Sequence, residues 1–122
     1  MIDFELNEFG RRLGMPGLEL NENAAAGVTI EGLGVLTFER VETPEGQAEL
    51  LVSLSRPIES TEAGRFGALL ERLDWRRHPV FTFSAGLFRD RLILSTRLNE
   101  SAVTARMLEN VLRALSDELG QV

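Results

Sequence analysis

Few side chains in this sequence are equipped for chemistry. His78 is the only imidazole, it lies in the polar run Trp75-Arg76-Arg77-His78-Pro79, and there is no cysteine. With no second His or Cys to complete a metal site or an acyl-transfer pair, His78 reads as a structural or surface residue. The carboxylates are scattered: Glu5 and Glu8 share a helix face, Glu42 and Glu45 flank a turn, and Asp117 and Glu118 end the last helix. No apolar pocket sets one carboxylate apart from another, so solvated acid faces explain them better than a two-carboxylate hydrolase does. Gly27, Gly32 and Gly34 lack the Lys-Ser/Thr ending of a phosphate loop and precede a strand instead of a helix, which makes them hairpin glycines. Asn99-Glu100-Ser101 fits a glycosylation sequon but, without a secretion signal, reads as polar residues capping the last helix. No catalytic residue, metal ligand or cofactor is assigned, and the expectation is a binding protein that is not an enzyme.

Charge narrows the class of partner. Nineteen acidic residues face thirteen basic ones, a net charge of −6 that repels phosphate backbones and argues against nucleic acid. All thirteen cations are arginine, which tolerates partly buried ion pairs better than lysine does. The acidic opening Met1 to Gly10 lacks the basic and apolar regions of a secretory signal. No apolar run approaches the roughly 20 residues that span a bilayer. A chain of 122 residues without cysteine suits one domain, residues 1–122, in a reducing cytoplasm.

The elements that must position any binding surface follow from periodicity. Leu6, Phe9 and Leu13, with Ile2 a turn earlier, form one face of a helix over Asp3 to Leu13, with Asp3 as N-cap, Gly14 and Pro16 as its stop, and Phe4 off the stripe. Strands are expected at Gly27 to Ile30, Val35 to Val41 and Ala48 to Ser55, the last two joined by the turn Thr43-Pro44-Glu45-Gly46. Pro57 ends the third strand. A second helix is expected from Ser60 or Thr61 to about Leu73, with Phe66, Leu69, Leu70 and Leu73 as its stripe. Two further strands, Val80 to Ser84 and Arg91 to Leu98, are expected to join near Gly86. An amphipathic helix from Ser101 to Leu119 carries Val103, Met107, Leu108, Val111, Leu112, Leu115 and Leu119. The order α-β-β-β-α-β-β-α with consecutive hairpins predicts an α+β fold, an antiparallel sheet with flanking helices. Phe38, Phe81 and Phe83 alternate as buried strand residues do, while Trp75 is either a plug in the domain or part of a subunit contact.

With that order on the page, the chain resembles the class I chaperones of bacterial type III secretion, the Tir chaperone-like family, over nearly its whole length. The resemblance is carried by Phe9-Gly10-Arg11-Arg12-Leu13-Gly14, by the strand pair Val28-Thr29-Ile30 and Val35-Leu36-Thr37-Phe38, and by Leu69-Leu70-Glu71-Arg72-Leu73. The late strand Arg91 to Leu98 and the long terminal helix complete it. Where many relatives place Asn shortly after the Leu-Leu pair, this chain has Asp74-Trp75.

The resemblance implies a homodimer formed through the second helix and the strand after it, here Leu69, Leu70, Leu73, Trp75, Phe81 and Phe83. Plain core packing competes at each position; it is preferred for Leu70 and Phe83, and the interface for Leu73 and Trp75. The resemblance also implies an ATP-independent chaperone that binds the N-terminal segment of a secreted effector in extended form. Such binding needs apolar grooves and an unpaired strand edge. The first helix and adjoining hairpin supply the candidates Phe4, Phe9, Leu13, Val28, Ile30 and Leu33. The rival readings are a structural or regulatory subunit of the secretion apparatus and a small-molecule-binding α+β domain.

Overall fold

A computed structural model describes residues 2–58, 66–73 and 81–120. Along the chain run α1 (Ile2–Arg12), β1 (Ala25–Ile30), β2 (Gly34–Glu42), β3 (Ala48–Pro57), α2 (Phe66–Arg72), β4 (Phe83–Phe88), β5 (Arg91–Asn99), a 3-10 turn (Glu100–Ala102) and α3 (Ala105–Gly120). The expected α-β-β-β-α-β-β-α order is met. The five strands form one antiparallel sheet in the order β1-β2-β3-β5-β4, so β1 and β4 are its edges.

One face of the sheet is the core face. Leu36 and Phe38 on β2, Leu50, Val52 and Leu54 on β3, and Leu92, Leu94 and Leu98 on β5 are buried in register, Leu36 opposite Leu54 and Leu54 opposite Leu94. Against them α1 sets Leu6 and Phe9, and α3 sets Ala105, Leu108, Val111, Leu115 and Leu119 at helical spacing. Thr96 is the one buried polar side chain among the described residues, and its hydroxyl donates to the Thr82 carbonyl at 2.8 Å. On the opposite, helix-free face Ser53 and Ser95 hydrogen-bond across β3 and β5 at 2.9 Å.

The end of α1 explains its glycines. The Met15 amide donates to the Gly10 carbonyl at 2.7 Å and the Gly14 amide to the Arg11 carbonyl at 3.0 Å, with Gly14 at φ +77°. These are the paired bonds of a Schellman cap, in which a glycine takes the left-handed position. A Cβ on Gly10 would lie 2.5 Å from the Met15 carbonyl oxygen and 2.8 Å from the Leu18 Cβ, so the chain turns back against α1 only because that side chain is missing.

Several boundaries differ from expectation. Asp3 lies inside the first turn of α1 and its carboxylate accepts from the Leu20 amide at 3.4 Å, tying the returning loop to the helix instead of capping it. The turn between β4 and β5 is at Arg89-Asp90, with Gly86 in mid-strand, because Arg89 takes the left-handed region at φ +56°. Asn99 caps the 3-10 turn by accepting from Ser101, whereas α3 is capped one step later by Thr104, whose hydroxyl accepts from the Met107 amide at 3.1 Å. The beginning of the second helix and Val80 lie outside the described residues.

Candidate functional site

The sheet's two edges hold the surfaces that can receive another polypeptide. On the β1 side, the Arg40 amide donates to the Ala24 carbonyl, and Ala25 stands opposite Glu39. Antiparallel alternation then turns the amides and carbonyls of Ala26, Val28 and Ile30 toward β2 and those of Ala25, Gly27 and Thr29 outward. Asn21 takes up the outward groups of Ala25: its side-chain oxygen accepts from the Ala25 amide at 3.2 Å and its own amide donates to the Ala25 carbonyl at 2.8 Å. The outward groups of Gly27 and Thr29 meet no partner among the described residues. Ala25, Ala26 and Gly27 also carry the smallest possible side chains, so this backbone edge is bare.

Two open hollows flank that edge. One, of about 310 Å³, lies between β1 and the returning loop, with Met15, Pro16, Leu18, Glu19 and Val28 on its walls. The other, of about 440 Å³, lies on the helix-free face, where the missing bulk of Ala25 and Gly27 exposes Thr37, Glu39, Leu51 and Ser53.

The candidates read from the sequence divide by burial. Phe4 is 68% exposed on α1. Leu13, Val28, Ile30 and Leu33 are half-buried and lean on the core from its rim. Phe9 is fully buried and meets the Phe38 ring edge-on at 5.8 Å, so it has no surface to offer and supports the others from beneath.

At the other edge, α2 packs against β4. Leu69, Leu73 and Phe83 are buried within the single chain, Leu73 thereby departing from its preferred reading as an interface residue. Leu70 departs in the opposite sense: expected in the core, it is 47% exposed. Phe81 is half-buried with its ring 6.1 Å from that of Phe83. Trp75 and His78 lie outside the described residues.

Sequence reasoning missed two residues here. Leu87 and Phe88, at the end of β4, are 42% and 60% exposed, and the Arg89 guanidinium sits 5.2 Å from the Phe88 ring centroid. Of the four large apolar side chains exposed among the described residues, three are therefore on α2 and β4. The available signal was the adjacent pair Leu87-Phe88: neighbours in a strand point to opposite faces, and an edge strand apolar on both faces has something to cover it.

Ion pairs hold the frame around these edges. Arg12 bonds Glu109 at 2.5 Å, tying α1 to α3, and Arg40 bonds Glu100 at 2.9 Å, tying β2 to the 3-10 turn. The hydrogen bonds to Glu109 and Glu100 hold both guanidiniums above their ordinary range, with desolvation acting in the opposite direction. Among the described residues no group of three or more His, Cys, Asp or Glu side chains is placed to hold a metal.

No protein-family model and no curated protein matches the sequence. Solved structures do match. The type III secretion chaperone SycH of Yersinia pestis, solved in complex with a stable fragment of YscM2, aligns with TM-score 0.70 and 23% identity over 99% of this chain and 98% of that chain. A chain of the HopA1–SchA chaperone–effector complex aligns with TM-score 0.71 and 15% identity over 97% of this chain and 89% of its own. A chain of the ExsC–ExsE complex aligns with TM-score 0.71 and 21% identity, over 97% and 87%. The chain is thus similar to type III secretion chaperones in fold along nearly its full length, as the resemblance in its sequence implied.

Proposed function

We propose that this protein is a homodimeric, ATP-independent chaperone that binds the N-terminal segment of a secreted effector as an extended chain and keeps it secretion-competent in the bacterial cytoplasm. The observation that carries the reading is the near full-length likeness in fold to three proteins, each solved in a complex. The bare β1 edge supports an extended client, because an added strand obtains main-chain hydrogen bonds from Gly27 and Thr29 while its side chains enter the hollows on either face. Phe4, Leu13, Val28, Ile30 and Leu33 are the apolar contacts. Holding a segment unfolded follows from binding it, so no nucleotide is needed. Among the described residues no helix is long and apolar enough to cross a membrane.

The opposite edge is the proposed dimer contact. Leu70, Phe81, Leu87 and Phe88 present the apolar surface, Leu69, Leu73 and Phe83 back it from the core, and Trp75 belongs to the same proposed interface. Purification from the native host is the test. The expected result is a dimer by light scattering carrying a co-purified polypeptide, identified by mass as a secreted protein. A lasting monomer with no polypeptide bound, or a stoichiometric complex with an apparatus component alone, overturns the reading.

A further inference from the structure

The charge around the β1 edge identifies the chemistry of what binds there. Residues 13–39, which include the returning loop, β1 and most of β2, contain four carboxylates, Glu19, Glu22, Glu31 and Glu39, and no Arg, Lys or His. All four are exposed, and none forms an ion pair among the described residues. Elsewhere arginines are interspersed with the carboxylates, and Glu8, Glu42, Glu49, Glu100 and Glu109 each face one. Unpaired negative charge therefore surrounds the β1 edge.

From this surface we infer that the segment added to β1 is cationic, with Arg or Lys side chains set among Glu19, Glu22, Glu31 and Glu39. The inference rests on the proposed chaperone reading and specifies its client. Each hollow beside the strand has a carboxylate on its wall, Glu19 in one and Glu39 in the other. The hollow beside the returning loop has Met15, Pro16, Leu18 and Val28 on its walls together with the Glu19 carboxylate and the Asn21 side chain, so it too can receive a cationic side chain. The hollow on the helix-free face opens over Ala25 and Gly27 onto Glu39. A residue on an added strand stands two strand spacings from β2, roughly 9–10 Å from Glu39, within the combined reach of an Arg and a Glu side chain. Glu19 lines the first hollow, while Glu22 and Glu31 lie in the turns at the two ends of β1, where they oppose an acidic segment and draw in a basic one.

The test uses short labelled peptides alternating Val with Arg, Val with Ser or Val with Glu, titrated onto the full chain by fluorescence anisotropy, with amide hydrogen exchange locating them. Exposed ion pairs contribute about two- to fivefold each, so the Arg peptide is expected to bind about tenfold tighter than the Ser peptide at low salt. That advantage should vanish in about 1 M salt, where the screening length is about 3 Å. It should also vanish in the Glu19→Gln, Glu22→Gln, Glu31→Gln, Glu39→Gln variant, and persist in a variant with the same charge change placed elsewhere, at Glu71, Asp90, Asp117 and Glu118. The amides of Gly27 and Thr29 should become protected. Equal protection by all three peptides removes the charge inference and leaves the chaperone reading standing. An Arg advantage that survives in the first variant also overturns it. Protection of β1 by no peptide, while a native client still binds, overturns the assignment of the edge itself.

Discussion

Replacing Phe88 by Ser should convert the proposed dimer toward folded monomer. In the single chain Phe88 is 60% exposed. A Phe side chain presents about 200 Å², so about 120 Å² lies open, and covering it is worth up to about 3 kcal/mol at about 25 cal/mol/Å². Twofold symmetry removes the side chain from both copies, doubling the ceiling, while ordering and desolvation return part of it. A net loss of about 3 kcal/mol raises the dissociation constant about a hundredfold. The monomer should keep its fold, because the substitution leaves the buried core untouched and the contact with Arg89 is a surface one. Sedimentation equilibrium across a dilution series reads the constant, and far-UV circular dichroism checks the fold. The interface reasoning fails if the variant dissociates no more readily than the wild type, or if the wild type is already monomeric at every concentration.

Phe9→Ala and Phe4→Ser should separate support from contact. The first should cost about 3–5 kcal/mol of stability by chemical denaturation, because a fully buried ring is lost together with its packing on Phe38. The second should leave the melting temperature unchanged and weaken client binding, since Phe4 is 68% exposed; unchanged binding by titration calorimetry removes α1 from the contact surface. Gly27→Pro deletes an outward amide at a position where an edge strand tolerates proline, so it should preserve the fold and reduce client affinity about tenfold, the worth of one or two main-chain hydrogen bonds. Gly10→Ala should destabilise the chain by about 1–3 kcal/mol in the same denaturation assay, since its Cβ would collide with the Met15 carbonyl.

The fold was legible where one periodicity ran unopposed. The alternation through β3 and β5 and the stripe of α3 reach the structure with boundaries shifted by a few residues, as does the Gly46 turn, with φ +83°. The β4–β5 turn was illegible because Arg89, a residue with no turn preference, holds the left-handed conformation, while Gly86, which resembles a turn residue, lies flat in the strand. The site was less legible than the fold, because pattern identifies an apolar stripe without saying how wide the covered part is. Leu69 and Leu70 belong to the same stripe, yet adjacent residues on a helix lie about 100° apart, and the sheet covers only the first. Phe4, five residues before Phe9 and about 140° around α1, lies off the stripe as its spacing indicates. The bare backbone groups of Gly27 and Thr29 have no hydrophobic signal at all, and only the strand order reveals them as an edge.

For the proposed dimer, charge also favours one edge over the other. Residues 1–58 hold ten carboxylates against four arginines, and residues 59–122 hold nine against nine, so the whole net charge of −6 belongs to α1 and the first three strands. Two copies meeting through β1 would bring like charge together where four carboxylates have no partner, and that repulsion opposes association. Two copies meeting through α2 and β4 join neutral segments and hold the acidic halves apart. The same asymmetry that favours a twin at β4 disfavours one at β1, which leaves the β1 edge open to a chain of opposite charge. In this proposal dimerisation and client binding use different edges of one sheet and need not compete.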